Sequence, residues 1–338
     1  MKLLEQLDQK LRIKGSPIST RKTYGQWVRR YFLFILKVNG PTVHPKDLGS
    51  RDVEKWLTHL AVNEHVAPST QDNALQSVLF LYRQVMGIEL TGIDALRSRR
   101  PKRMPTVLSI PELGKIFPFL ARQALLIAQL QTGCGLRIGE AVSLRMKDLD
   151  FDREQIIVRH AKGAKDRATV FPKELHESVK HQMQSMEVLF DSDRRGNMPG
   201  VSMPHAFGRK SKNASSEWPW FYLFASGNLS RHPDTRELGR HHIDGSNINR
   251  QFKTAAANGK VAKRVTSHTF RHSFATHMLS VGTDIMTLAS MMGHDDIRTT
   301  QVYLHCNINS GEMQRSPFAR LLAGEFSTRE GERQREAG

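Results

Sequence analysis

The stretch Arg97-Ser98-Arg99-Arg100-Pro101-Lys102-Arg103-Met104-Pro105 packs basic residues around two prolines. Neither a helix interior nor a central strand accommodates that pattern, because each proline removes a backbone donor and fixes φ. It therefore divides the chain into a shorter N-terminal part and a longer C-terminal one. With 338 residues and domains of roughly 150 residues as the usual size, two domains are expected: residues 1–96, then a basic linker over 97–107, then 108–324. Residues 325–338 are charged, lack an apolar face and are expected to be disordered. The linker's Arg99, Arg100, Lys102 and Arg103 suit either a strap across a phosphate backbone or a plain solvated connection.

The N-terminal part carries helical periodicity throughout. After the polar start Ser19-Thr20-Arg21-Lys22, apolar residues recur at Tyr24, Trp27, Val28, Tyr31, Phe32, Phe34 and Ile35, the spacing of one helix face. A second helix is expected around Val53, Trp56, Leu57 and Leu60. A third is expected from Pro68-Ser69-Thr70, with hydroxyls able to cap, through Leu75, Val78 and Leu81 to Gly87. The C-terminal part opens with Ser109-Ile110-Pro111-Glu112-Leu113, a capped helix, followed by an apolar helix from about Phe119 to Leu130 that ends at Gly133. Ile156-Ile157-Val158-Arg159-His160 and Ala168-Thr169-Val170-Phe171 read as strands of a hairpin that carries three basic groups near its tip, Lys162, Lys165 and Arg167. Between about 191 and 245 Gly, Pro, Ser, His and Trp crowd in and periodicity fades, as in an inserted segment. Helices resume near Ser246. The fold class expected is mainly α with a small β-hairpin or sheet, a helical N-terminal domain preceding a mixed α/β one.

Composition narrows the partner. Lys and Arg number 50 against 33 Asp and Glu, a formal charge of +17, which favours a polyanion such as nucleic acid. Cys134 and Cys306 are the two cysteines, too few for a disulfide framework or a cysteine-based zinc site. No window approaches the roughly 18 apolar residues of a membrane span, and the start at Met1-Lys2-Leu3-Leu4-Glu5 lacks the apolar stretch of a signal peptide. A soluble cytoplasmic protein is expected.

Cutting a phosphodiester with a protein hydroxyl needs an aligned nucleophile, cationic donors for the non-bridging oxygens and an acid for the leaving oxygen. Four segments supply such groups. Thr132-Gly133-Cys134-Gly135-Leu136-Arg137-Ile138-Gly139-Glu140 puts Arg137 at a helix start, able to grip phosphate with its planar fork. Lys162 lies at the hairpin turn, with Lys165 as a poorer alternative beyond Gly163. Ser267-His268-Thr269-Phe270-Arg271-His272 puts His268 and Arg271 on one helical face; His268 and His272, four apart, also suggest a metal pair, but with no third ligand in sight. In Gly293-His294-Asp295-Asp296, Gly293 ends one helix and Asp295 or Asp296 caps the next, on which Tyr303 follows His294 by nine residues.

In this order the segments resemble the tyrosine recombinases, or phage-integrase-like enzymes, over nearly the whole chain. The resemblance implies a helical core-binding domain that clamps DNA and a catalytic domain. It implies that Arg137 and Arg271 hold the phosphate, Lys162 protonates the leaving oxygen, His268 and His294 position and assist, and Tyr303 attacks to leave a 3'-phosphotyrosine. With two guanidinium groups supplying the charge and the ester conserving the bond energy, neither metal nor ATP nor any other cofactor is expected. The enzyme would act as a homotetramer on DNA, with the apolar residues Phe318, Leu321 and Leu322 of the stretch 309–322 docking onto a neighbouring subunit.

The long connection between Lys162 and His268, together with Arg315-Ser316-Pro317-Phe318-Ala319-Arg320-Leu321-Leu322, resembles the integron integrases. Such enzymes capture gene cassettes from folded single-stranded hairpin sites marked by bulged bases. By that resemblance Trp220, Pro233, His241 and His242 contact an extrahelical base. For the nearby Trp218 and Phe224, packing in a small core of the insertion is an equal expectation. The alternatives are a phage or chromosome-resolving recombinase acting on duplex sites, a type IB topoisomerase, and a DNA-binding protein without activity.

Overall fold

A computed structural model describes residues 3–40, 42–93, 104–159, 166–203, 211, 213–232 and 234–304. The chain divides into two compact units, Met1–Lys102 and Arg103–Gly338. No helix among the described residues is long and apolar enough to cross a membrane.

The first unit is a bundle of α1 (Leu3–Ile13), α2 (Ile18–Asn39), α3 (Ser50–Val62) and α4 (Pro68–Leu81). The helical spacing of Val28, Tyr31 and Ile35 puts all three in the core with Leu7, Leu11, Trp56, Leu60, Leu75 and Val78. Full burial of each such side chain contributes roughly 1.5–3 kcal/mol. The starts of α2 and α4 differ from expectation. Pro17 and Ala67 occupy the capping positions without side-chain hydrogen bonds, and Ser19, Thr20, Ser69 and Thr70 lie inside the helices. Pro68 begins α4 instead, since its fixed φ suits the first helical position and it has no donor to leave unpaired. Past α4 the chain widens into a π turn over Tyr82–Met86 and stops at Gly87, φ 69°.

The second unit begins with α5 (Ile110–Ile116), closed by a reciprocal cap in which Ser109 Oγ accepts from Glu112 N and the Glu112 carboxylate from Ser109 N. Helix α6 spans Arg122–Cys134; it runs through Gly133 and ends at Gly135, whose φ of 67° is the left-handed conformation a helix stop uses. Helix α7 (Ile138–Val142) follows at once. Strands β1 (Leu149–Asp150), β2 (Gln155–Val158) and β3 (Arg167–Val170) form an antiparallel sheet in that order, with Val158 opposite Arg167. Residues 160–165, which include Lys162 and Lys165, lie outside the described residues.

Helix α8 (His176–Arg195) extends into the segment expected to be inserted. The rest of that segment is not a separate core. Phe221, Tyr222, Leu223 and Phe224 belong to the main core of the unit with Leu126, Ile127, Phe252 and Phe270, and Tyr222 bridges Arg145 in antiparallel fashion. Trp218 stacks on Phe221 at 6.0 Å between ring centres. Apolar area of this size gains more by joining an existing core than by building a small one. Strands β4 (Ala225–Arg231) and β5 (Leu238–His242) make an antiparallel hairpin, tied to α8 by a buried ion pair between Arg240 and Asp193. Helices α9 (Gly245–Asn258), α10 (Ser267–Ser280), α11 (Ile285–Met292) and α12 (Arg298–Gln301) complete the described chain.

Candidate active site

Two glycines place the two arginines. Gly135, after α6, and Gly293, after α11, both have positive φ, so their carbonyls turn away from their own helices. Arg271, on α10 and 4% exposed, donates Nη1 to Gly135 O and Nη2 to Met292 O. Arg137, at the start of α7, donates Nη2 to Gly293 O at 3.1 Å. Each arginine thus depends on a chain reversal that only glycine makes without strain. Neither glycine leaves room for a side chain: a Cβ on Gly135 would lie 2.5 Å from the Phe274 ring, and one on Gly293 2.8 Å from Arg167 Cδ.

Glu140 is the common anion of the cluster. Its carboxylate accepts from Arg137 Nη1 at 2.8 Å and from the Arg137 backbone, from Arg167 through both guanidinium ends, and stands 3.8 Å from Arg271 Nη1. Burial alone would raise the carboxyl, but the hydrogen bonds and charge of Arg167, then Arg137, outweigh it and hold the pKa at about 2. Burial and the neighbouring Arg137 charge lower the Arg271 guanidinium to about 9, which leaves it protonated at neutral pH. The sequence pattern assigns no chemical role to Glu140 or His272, and it marks Arg167 only as a basic group near the hairpin tip. The Glu140 carboxylate three residues after Arg137 was the available signal.

His294 follows Gly293. Arg271 Nη2 lies 3.2 Å from its Nε2, and its Nδ1 lies 2.8 Å from Thr300 Oγ1. Since a guanidinium only donates, Nε2 accepts and Nδ1 carries the proton that goes to Thr300. Desolvation, then the charges of Arg271 and Arg137, lower this histidine to about 4, which keeps it neutral. Tyr303 comes just after α12 rather than on it, since α12 ends at Gln301. The carboxylate at the start of α12 is Asp296, whose Oδ1 accepts from Arg298 N. The Tyr303 side chain is buried, its ring stacked on His294 at 6.5 Å and its hydroxyl 2.7 Å from Nδ1 of His272.

His268, one turn before His272 on α10, is exposed, and desolvation followed by the charges of Arg271 and Arg137 lowers its pKa. The His268 and His272 rings are 6.2 Å apart, but no group of three His, Cys, Asp or Glu among the described residues is placed to hold a metal. Of the six residues expected to act together, the fold gathers Arg137, Arg271, His294 and Tyr303 around Glu140 and His272, with His268 alongside.

Of the residues expected to meet a base, Trp220 and His242 line a cavity of about 600 Å³ with Tyr222, Arg145, Lys147 and Arg159, and Glu140 also borders it. Lys147 Nζ sits 3.0 Å from the Trp220 ring centre and Arg145 lies over the Tyr222 ring. His241 does not line this cavity; its ring stacks with that of His232 at 6.1 Å. Pro233, Arg99, Arg100, Lys102 and Arg103 lie outside the described residues, as do the stretch 309–322 and the tail 325–338.

Residues 106–309 match the model of the phage integrase family, and residues 3–92 match the phage integrase N-terminal SAM-like domain. An integrase/recombinase of Escherichia coli is 38% identical over 322 residues, 95% of this chain and 94% of that protein. The tyrosine recombinase XerA of Thermococcus onnurineus is 28% identical over 95% of this chain and 96% of its own. Among solved structures, the XerH site-specific recombinase bound to palindromic difH substrate aligns with a TM-score of 0.61 at 16% identity, covering 90% of this chain and 81% of that one. A lambda integrase dimer bound to a COC' core site aligns with a TM-score of 0.58 at 13% identity, over 91% and 95%. These two likenesses speak to the fold. By the match of its family models and its near full-length relatives, the chain belongs to the phage integrase family and is a tyrosine site-specific recombinase.

Proposed function

We propose that this recombinase is of the integron integrase type and captures gene cassettes by cutting and rejoining DNA through Tyr303. Arg137 and Arg271 hold the non-bridging oxygens of the scissile phosphate. Lys162 protonates the leaving 5'-oxygen, His268 and His294 orient the phosphate and the tyrosine, and Tyr303 forms the 3'-phosphotyrosine. The observation that carries this mechanism is the convergence of Arg137, Arg271, His294 and Tyr303 on one cluster. Preorganised donors of this kind stabilise charge where it develops on phosphorus without reorganising at the moment of reaction. The first unit and the basic stretch 97–107 clamp the DNA, and a homotetramer brings two sites together.

For the substrate, the supporting observation is the cavity bounded by Trp220, Tyr222, His242, Arg145 and Lys147. Aromatic faces beside cations suit an unpaired base and its phosphate, at roughly 1–3 kcal/mol per stacked base. A base flipped out of a folded single strand reports position without a sequence code, which fits an enzyme that accepts many cassettes. By the resemblance to integron integrases, Pro233 and His241 also contact the base, His241 from outside this cavity. A second reading, a Xer-like enzyme acting on duplex sites, is favoured by the similarity to XerA.

One assay separates them. The protein is incubated with a labelled folded strand of a cassette site, its complement, and the duplex. An SDS-resistant adduct on one folded strand supports the integron reading, while equal or better attack on the duplex supports the Xer-like one. Tyr303→Phe should form no adduct on any of the three.

A further inference from the structure

We propose that His272 is the base that receives the Tyr303 hydroxyl proton as the DNA strand is cut and returns it as the strand is rejoined. This rests on the reading of Tyr303 as the nucleophile.

The geometry comes first. His272 Nδ1 lies 2.7 Å from the Tyr303 hydroxyl, within the range at which a base takes the proton of an attacking group. The two rings pack at 5.5 Å, and the Tyr303 side chain is buried. His294, the arginines and Glu140 are committed elsewhere, and His268 is exposed, its ring 6.2 Å from that of His272. Both ring nitrogens of His294 are engaged, Nε2 by Arg271 and Nδ1 by Thr300. Arg137 and Arg271 only donate. Glu140 is engaged by Arg137 and Arg167.

The protonation state agrees. Desolvation, then His268 and Arg271, lower His272 to about 4, so at neutral pH the ring is neutral, and in the tautomer that carries its proton on Nε2 the Nδ1 lone pair accepts from the hydroxyl. The charged and titratable groups around it are His268 and Arg271 on its own helix and Tyr303, with His294 beyond, from the segment after α11. A phosphodiester seated on Arg137 and Arg271 neutralises part of that positive field and makes His272 more basic at the moment it is needed.

The step balances as follows. The Tyr303 oxygen uses a lone pair to form the bond to phosphorus while its proton passes to His272 Nδ1. The bond from phosphorus to the 5'-oxygen breaks, and that oxygen keeps the electron pair and takes a proton from Lys162. In rejoining, a DNA 5'-hydroxyl attacks the phosphotyrosine and gives its proton back to Lys162 as the new bond to phosphorus forms, while the Tyr303 phenolate leaves and recovers its proton from His272.

The test uses the full-length protein on the site at which the wild type forms an adduct, with single-turnover rates. His272→Leu removes the acceptor; His272→Asn leaves an oxygen near the position of Nδ1 that accepts a hydrogen bond but not a proton. Both should slow adduct formation about 100-fold or more, the usual range for loss of a positioned base. The acidic limb of the wild-type pH profile should vanish in His272→Asn. A substrate with sulfur in place of the leaving 5'-oxygen needs no acid. It should restore a Lys162→Ala protein and leave both His272 variants slow. A wild-type rate in His272→Asn, or rescue of either His272 variant by the sulfur substrate, overturns the proposal. An adduct formed by Tyr303→Phe overturns instead the reading on which it rests. Circular dichroism establishes that each variant is folded, and His272→Asn decides alone if His272→Leu is not.

Discussion

Glu140 and Arg167 form a two-pronged ion pair, with Nη1 2.9 Å from Oε1 and Nη2 2.7 Å from Oε2. The side chains are 11% and 7% exposed. The same carboxylate holds Arg137, so the pair that staples β3 to α7 also sets the angle of an arginine proposed to grip phosphate.

Glu140→Gln should therefore lose both stability and rate. An amide cannot neutralise Arg167, and uncompensating a buried charge costs about 3–5 kcal/mol, visible as a lower Tm. Misplacing Arg137 by a fraction of its length should slow adduct formation about 100-fold. A Glu140→Gln protein with wild-type Tm would show that Arg167 finds its compensation elsewhere.

Acid should loosen this unit in two stages. His272 and His294 are both lowered to about 4. The folded state therefore binds fewer protons than the unfolded state between the ordinary histidine value near 6.5 and 4, and stability falls as pH falls through that window. Glu140, held at about 2, adds a contribution present above the ordinary carboxylate range and lost as pH drops below it. Thermal melts from pH 7 to 4 should show a steady decline in Tm that is shallower in His272→Asn. A flat profile over that window would contradict buried neutral histidines.

The legible part of this molecule was what spacing and order carry. Val28, Tyr31 and Ile35 announced a helix face, and Arg137, His268, Arg271, His294 and Tyr303 announced one another by sequence. Contacts made across long separations were not legible. Phe221 to Phe224 sit in a stretch rich in Gly, Pro and Ser, yet they fill the main core, because their partners come from α6, α9 and α10. His272 was visible only as a possible metal pair with His268, since its contact with Tyr303 spans 31 positions. Gly133 was the expected helix stop, but the helix runs to Gly135, the residue that takes the left-handed conformation.

That distinction is testable. Gly135→Ala combines an unfavourable positive φ with a Cβ 2.5 Å from the Phe274 ring, and it displaces a carbonyl that Arg271 uses. Overpacking of this kind costs about 1–3 kcal/mol before the strain is added, so Gly135→Ala should melt well below the wild type. Gly139→Ala, where a Cβ meets nothing within 4 Å, should keep a Tm close to the wild type, its stability changing by about 0.5 kcal/mol or less.

A buried charge pair ties the hairpin of β4 and β5 to α8. Arg240 Nε lies 2.8 Å from Asp193 Oδ2, and its Nη1 donates to Ser226 O and Gly227 O. Both side chains are about 5% exposed or less. Asp193→Asn leaves the Arg240 charge uncompensated, at a cost of about 3–5 kcal/mol, and should speed amide exchange across 225–242 while exchange in α6 stays slow. The double variant Asp193→Leu with Arg240→Met removes the charge with its partner and should recover most of that stability, because apolar replacements of buried pairs are often neutral or better. It should not recover slow exchange at 226–227, whose carbonyls would still lack their donor. Equal exchange in the double variant and the wild type would mean that the irregular stretch of β4 at 226–227 is held without the Arg240 donor.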